Sequence, residues 1–293
     1  CHPALLGVAN RGIALHIQPE LLFKLIRTHL PRGAREVSDR EIEDAIAKAQ
    51  GERQARKSTA ATAQKVKKEP ARVLVDGKKF LAQILEKGKG ATERDLLKAS
   101  SVRINDDEAS HAMTLLRELY KPSDMVFVGP RYGTLVRPVS ELCELLEWGA
   151  VLGEHIVPNP LTGELGNRKD GGWSFRADGC VKEFRFAIIE FDDLSREEQI
   201  RFWCAIDLPV VALIDTGGKS IHGWVRVDCP NREAWERDVE ATLYRSFLVP
   251  VGVDPACRNE SRLSRLPGVI RGNTQRWQRL LYLSPEGIAP CRR

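Results

Sequence analysis

No stretch of this 293-residue sequence holds enough consecutive apolar residues to cross a membrane, and its N-terminal residues lack a secretory-signal pattern. Cysteine is present but unorganised. The seven residues at 1, 143, 180, 204, 229, 257 and 291 form no C-x-x-C and have no closely spaced histidine pair beside them. That argues against a sequence-local zinc site and for reduced thiols in a cytoplasm, with a long-range zinc site built from scattered cysteines as the rival. A complete phosphate-binding loop is missing too. Gly218-Lys219-Ser220 has the ending of G-x-x-x-x-G-K-[ST], but Leu213 stands where the first glycine belongs. The sequence therefore carries no complete P-loop of its own.

What is present is a globular composition, 42% hydrophobic and 29% charged, with room for one large domain or two smaller ones. The net charge of +5 is uneven: residues 51–70 carry six Lys or Arg against two Glu, and residues 254–293 carry eight Arg against three acids. These segments contribute +4 and +5, so the remainder nets −4. Basicity concentrated in this way suits a nucleic-acid strand, with affinity that falls steeply as salt rises.

The most informative segment is Val210 to Val227, VVALIDTGGKSIHGWVRV. After the glycines it alternates with the period of a strand instead of opening a helix, so it predicts a hairpin turning at Gly217-Gly218, whose glycines supply positive φ. Ser220, His222, Trp224 and Arg226 then share one strand face, while Ile221, Val225 and Val227 face a core. A hydroxyl and an imidazole side by side, with Lys219 before them, could hold a polyphosphate; the alternative is a solvated face with an incidental histidine.

Upstream, Phe184 to Asp193 (FRFAIIEFDD) reads as a central, covered strand ending in acid. Glu190 and Asp192 project to one face, where their mutual repulsion calls for a cation such as Mg²⁺ or Mn²⁺. Solvated acids at a strand end are the other possibility, and Asp193, facing the opposite way, is assigned to it. Downstream, Asp254 follows a short apolar run and offers a third metal ligand. Beyond it Arg258, Arg262, Arg265 and Arg271 surround the turn at Pro267-Gly268, dense enough in guanidinium forks to contact phosphates, or else an ordinary solvated basic loop.

Taken in order, acid-x-acid on a strand, G-G-K-S-x-H on a hairpin and Asp254 followed by R-L-x-R-L-P-G resemble the archaeo-eukaryotic primase superfamily, most of all the primase-polymerase domains of phages, prophages and plasmids. The likeness spans Phe184 to Arg271 and implies an α+β, mainly antiparallel-sheet catalytic core. It implies that Glu190, Asp192 and Asp254 are catalytic and bind Mg²⁺ or Mn²⁺. It gives the nucleoside triphosphate to Lys219, Ser220 and His222, with Arg262 and Arg265 helping. The activity implied is template-directed nucleotidyl transfer on a single-stranded DNA template, with room for a helicase partner that is separate or encoded downstream, since no complete P-loop is present here. The first motif here is E-x-D where many members carry D-x-D or D-x-E. Two rival functions are a replication-associated DNA-binding module and a metal-dependent nuclease using the same acids.

The chain divides by pattern into a small helical module over 1–50, a basic linker over 51–71, a mainly helical lobe over 72–150 and the catalytic core over 151–293. Ser38 and Glu41, and Thr92 and Asp95, have the spacing of capping boxes that open helices. Two short strands, Met125–Val128 and Thr134–Arg137, follow a helix running from Asp106 to Tyr120. Asn159 reads as a turn cap or a nucleotide contact. Trp173 and Phe175 read as core rings or as stacking surfaces for a template base.

Overall fold

The structure is a computed structural model describing residues 5–6, 8–10, 18–29, 37–50, 76–168 and 171–291. It divides into two units, Cys1–Arg72 and Val73–Arg293. In the first, helix α1 (Pro19–His29) starts at a proline, which costs nothing where no helical donor is needed. A second helix, α2, covers 39–50, opened by the expected box in which the Glu41 carboxylate accepts from the Ser38 amide at 3.1 Å. Leu22, Ile26, Ile42, Ala45 and Ile46 close a small apolar cluster. The basic linker read at 51–71 lies outside the described residues.

The second unit begins with helices α3 (Gly77–Lys87), α4 (Glu93–Ala99) and α5 (His111–Leu119). Strands β1 (Met125–Gly129) and β2 (Val136–Pro138), helix α6 (Val139–Glu147) and the short strands β3 (His155–Ile156), β4 (Gly166–Asn167) and β5 (Trp173–Ser174) follow. Then come β6 (Phe184–Ile189), α7 (Arg196–Ala205), β7 (Val210–Asp215), β8 (Ile221–Cys229) and the wide π-type helix α8 (Trp235–Leu248). Strands β9 (Ser264–Arg265), β10 (Val269–Arg271) and β11 (Arg276–Leu283) complete it. Every described pairing is antiparallel, in a five-stranded sheet ordered β10-β11-β7-β8-β6, a four-stranded sheet ordered β2-β1-β3-β9 and a β4–β5 ribbon. The fold is α+β with antiparallel sheets, as the resemblance implied. The lobe read at 72–150 is joined to the segment after it, β1 pairing with β3 across residue 150.

The five-stranded sheet is covered on both faces. Ala187, Ile189, Leu213 and Val225 pack with Phe202 and Trp203 of α7, while Phe186, Ile188, Ile214 and Trp224 pack with Leu115 and Leu116 of α5 and Val126 of β1. Gly223 makes the first arrangement possible: a Cβ there would stand 2.1 Å from the Trp203 ring.

β6, read as a central strand, is instead the edge of its sheet. Its apolar sequence survives there because its outer polar groups are sealed. The Asn159 carboxamide accepts from the amides of Arg185 and Phe186 at 2.8 Å each and donates to the carbonyls of Phe186 at 3.0 Å and Glu260 at 2.9 Å. The Tyr244 hydroxyl donates to the Ile188 carbonyl, and the Asp254 amide donates to the Glu190 carbonyl at 3.0 Å. An edge closed in this way cannot recruit a foreign strand. Asn159 is therefore a structural clamp. Asn159→Ala leaves these buried partners unsatisfied and should cost about 2–4 kcal/mol, read from urea unfolding midpoints; an unchanged midpoint would refute the clamp.

Candidate active site

The β6–β8 ladder pairs Ile188 with Trp224 and Ile189 with Gly223, so Glu190, one step further, comes level with His222. Glu190 Oε1 lies 3.2 Å from His222 Nε2. On the other side of the ring, Nδ1 accepts from the Arg265 amide at 3.3 Å and sits 3.0 Å from Ser264 Oγ. A backbone N–H can only donate, which assigns the ring proton to Nε2 and directs it at Glu190. Ser264 Oγ accepts from Trp224 Nε1 at 2.8 Å and spends its own hydrogen on His222.

The face carrying Ser220, His222, Trp224 and Arg226 is thus not the open polar face that alternation implied. β9, which supplies Ser264, lies over it, and His222 is only 6% exposed. The imidazole is buried among polar partners, and Trp224 joins the core. The hairpin itself forms as read, with Asp215 opposite Ile221. Its two glycines serve different ends. Gly217 takes the positive φ of 65°, while a Cβ at Gly218 would stand 2.2 Å from Arg271 Nη1.

Asp254 is brought alongside by the bridge between Phe191 and Val253. Its Oδ1 caps the turn Pro255–Arg258 by accepting from the Ala256 amide at 2.9 Å. Arg262 spans the two acids, with Nη2 2.9 Å from Asp254 Oδ2 and 3.3 Å from Glu190 Oε2. Burial pushes the Glu190 carboxyl upward, but the His222 hydrogen bond and the Arg262 charge outweigh it and hold the pKa at about 2. Atoms of Glu190, Asp254 and Cys257 able to ligate a cation lie within 4.8 Å of one another. Burial, opposed by Arg262, lifts the Cys257 thiol to about 12, so it stays protonated at neutral pH and offers no thiolate. The remaining oxygen donors fit a hard cation such as Mg²⁺ or Mn²⁺, whose other positions are commonly taken by water and substrate phosphates. Asp192 stands outside this trio. It is exposed on the same cavity, and its carboxylate has no partner among the described residues.

That cavity, about 600 Å³, is lined by Glu190, Asp192, Lys219, Ser220, His222 and several arginines. Lys219 Nζ reaches the Asp192 carbonyl, and Ser220 Oγ has no partner among the described residues. Arg265 and Arg262, read as phosphate ligands, are both tied to carboxylates; Arg265 Nη1 lies 2.5 Å from Glu154 Oε2. Besides Lys219, two cavity cations have no acid among the described residues. One is Arg271, whose Nη1 makes only a 3.4 Å contact with the Thr216 carbonyl, and the other is Arg131. Arg271 was legible as part of the arginine-rich loop. Arg131 was not, because only the β1–β3 pairing carries its turn to the cavity. His155 also lines the wall; burial and the nearby Arg265 depress its pKa to about 4.

The Glu190 shift sets a pH window. Its folded pKa of about 2 lies below the ordinary 4.5, so the unfolded chain takes up the proton first as pH falls. The stabilisation is complete above about pH 4.5, at most about 3 kcal/mol, and is lost toward pH 2. Glu190→Gln should flatten this part of the stability profile in urea titrations between pH 5 and pH 2; an unchanged profile would mean the ion pairs do not hold the carboxylate.

No family model matches the chain, and no curated protein matches it. Among solved structures it is similar to the AEP domain of the cyanophage S-2L primase-polymerase, at 22% identity and a TM-score of 0.42 over 64% of this chain and 95% of that one.

Proposed function

We propose that this chain is a nucleotidyltransferase: a primase-polymerase that makes and extends primers on a single-stranded DNA template with Mg²⁺ or Mn²⁺, in phage, prophage or plasmid replication. The observation that carries the reading is the convergence of Glu190 and Asp254 beside a cavity whose Arg271, Lys219 and Ser220 are free to take phosphates. In the reaction a primer 3′-hydroxyl attacks the α-phosphate of a nucleoside triphosphate and pyrophosphate leaves. Glu190 and Asp254 would hold the cation, with Asp192 reaching from the rim. When bound, the cation supplies charge neutralisation at the reacting phosphate and the departing pyrophosphate.

The chain's own groups supply positioning. Arg271, Lys219 and the Ser220 hydroxyl take the triphosphate and hold it in line for attack. His222 acts through Glu190: its Nε2–H fixes the carboxylate rotamer, which makes it a positioning residue. Arg262 neutralises the acid pair until a metal shares it.

Incubating the full chain with single-stranded template, Mg²⁺ or Mn²⁺ and labelled nucleotides, without primer, should yield extended products. Glu190→Gln and Asp254→Asn should each lower synthesis by about 10³-fold or more, the scale of losing a key electrostatic contact. Full synthesis by either variant overturns the reading, and template cut without nucleotides points to a nuclease. Gly218→Ala offers a finer test. Its methyl displaces the flexible end of Arg271, so stability should hold while KM for nucleotide rises about 10-fold, the equivalent of ~1.4 kcal/mol. An unchanged KM would remove Arg271 from the triphosphate site.

A further inference from the structure

A second concavity of about 690 Å³ adjoins the first; Arg131, Asn259, Ser261 and Leu263 line both. Its remaining wall is basic, with Arg168, Arg176 and Arg232 against Asp178. Arg232 is paired with Glu260 at 2.8 Å, but neither Arg131 nor Arg176 meets an acid among the described residues. Arg176 is nonetheless held in place. Its guanidinium lies 4.8 Å from the centre of the Phe127 ring and donates to the Arg131 carbonyl at 2.6 Å. A cation anchored by an aromatic face and a backbone oxygen keeps its charge available to a ligand.

Beside these cations stands Tyr132, 86% exposed, with the Arg131 guanidinium 5.9 Å from its ring centre. Trp173, 64% exposed, is the cross-strand partner of Asn167, which lines the same groove. Cross-strand partners point to the same face, so this second ring stands on the Asn167 side of the β4–β5 ribbon. A large aromatic left in water beside uncompensated guanidinium groups, with a second exposed ring on the neighbouring ribbon, is unfavourable for a bare surface and favourable for one ligand chemistry. A single nucleic-acid strand offers alternating phosphates and unpaired bases, and base stacking on an aromatic ring adds to backbone charge contacts. A duplex hides its base faces, and an acidic peptide has no use for the rings.

We propose that the groove formed by Arg131, Tyr132, Arg168 and Arg176 binds a single strand of nucleic acid and leads it to the wall shared with the Glu190 cavity. Calling that strand the template rests on the nucleotidyl-transfer reading; its binding does not.

The test is fluorescence anisotropy of the full chain with a labelled oligothymidine of about 15 nucleotides, within the span of known single-strand-binding grooves, in the absence of metal and nucleotide. Tyr132→Ala should weaken binding about 5- to 100-fold, the range for losing one stacked base. Arg176→Ala should weaken it too and lower the salt slope by about one, as expected for one lost phosphate contact. Because every variant keeps the basic 51–70 segment, differences from the parent chain isolate the groove. Circular dichroism of each variant separates lost binding from lost fold, and Tyr132, lying in water, should leave the fold untouched. Nucleotide binding, measured separately by calorimetry, should survive both substitutions. Oligothymidine and oligouridine arms tell DNA from RNA, and binding of either with the stated losses supports the groove. Parent-like affinity in both variants, or a duplex bound more tightly than a single strand, overturns it. If Glu190→Gln and Asp254→Asn keep full synthesis while the groove variants still lose the strand, the transferase reading fails and the groove stands.

Discussion

The antiparallel pairing of β6 with β8 sets Glu190 level with His222, and a slip of one residue would put the two side chains on opposite faces of the sheet. The register is secured from several directions. Gly223 admits the Trp203 ring against the strand, where a larger residue would force the helix away. A bulge between Phe184 and Phe186 moves the ladder by one position, sending Phe184 to one core and Phe186 to the other. Asn159, Tyr244 and Asp254 then close the outer edge, so the loop that carries Asp254 also completes the hydrogen bonding of the strand that leads to Glu190. Fold and candidate site are thus joined at the same backbone groups.

Charge is the second constraint. Two carboxylates brought together in a half-buried place are unfavourable unless a cation lies between them, and Arg262 provides one. The hairpin has its own charge knot. Asp215, buried, accepts from the Gly217 amide at 3.0 Å and pairs with Arg196 at 2.9 Å and Arg279 at 3.0 Å, both of which also pair with Glu93. These networks hold the loops rigidly, and the cations they consume are not available for a ligand. What distinguishes the cavity is the set left over: Arg271, Arg131 and Lys219, none of which is neutralised by a side chain among the described residues. The positive charge open to a ligand in this cavity resides in what the fold declines to pair.

Much was legible in the linear chain. The hairpin at Gly217-Gly218, the capping boxes at Ser38 and Thr92 and the strand leading into Glu190 follow from local propensity and period, which act within a few residues. The grouping of Glu190, Ser220, His222 and the Asp254 segment was legible as chemistry, since acids and phosphate ligands come in few combinations. Two features escaped it. Alternation cannot tell a solvated face from one covered by another sheet, so the burial of His222 and Trp224 beneath β9 was out of reach. Nor can a list of arginines say which are already paired: Arg262 and Arg265 are spent on Asp254, Glu190 and Glu154, while Arg271 is spared because Gly218 leaves it room.

The sequence by itself determined the alternating strands, the turn and the kinds of side chain brought to it, because each depends on neighbours along the chain. Tertiary structure decided that β6 is an edge, that Asp254 and not Asp192 stands with Glu190, and that Arg131 arrives at the cavity from a distant turn. Those outcomes depend on which strands meet and which charges find each other first, and both are fixed only when segments far apart in the chain compete for the same space.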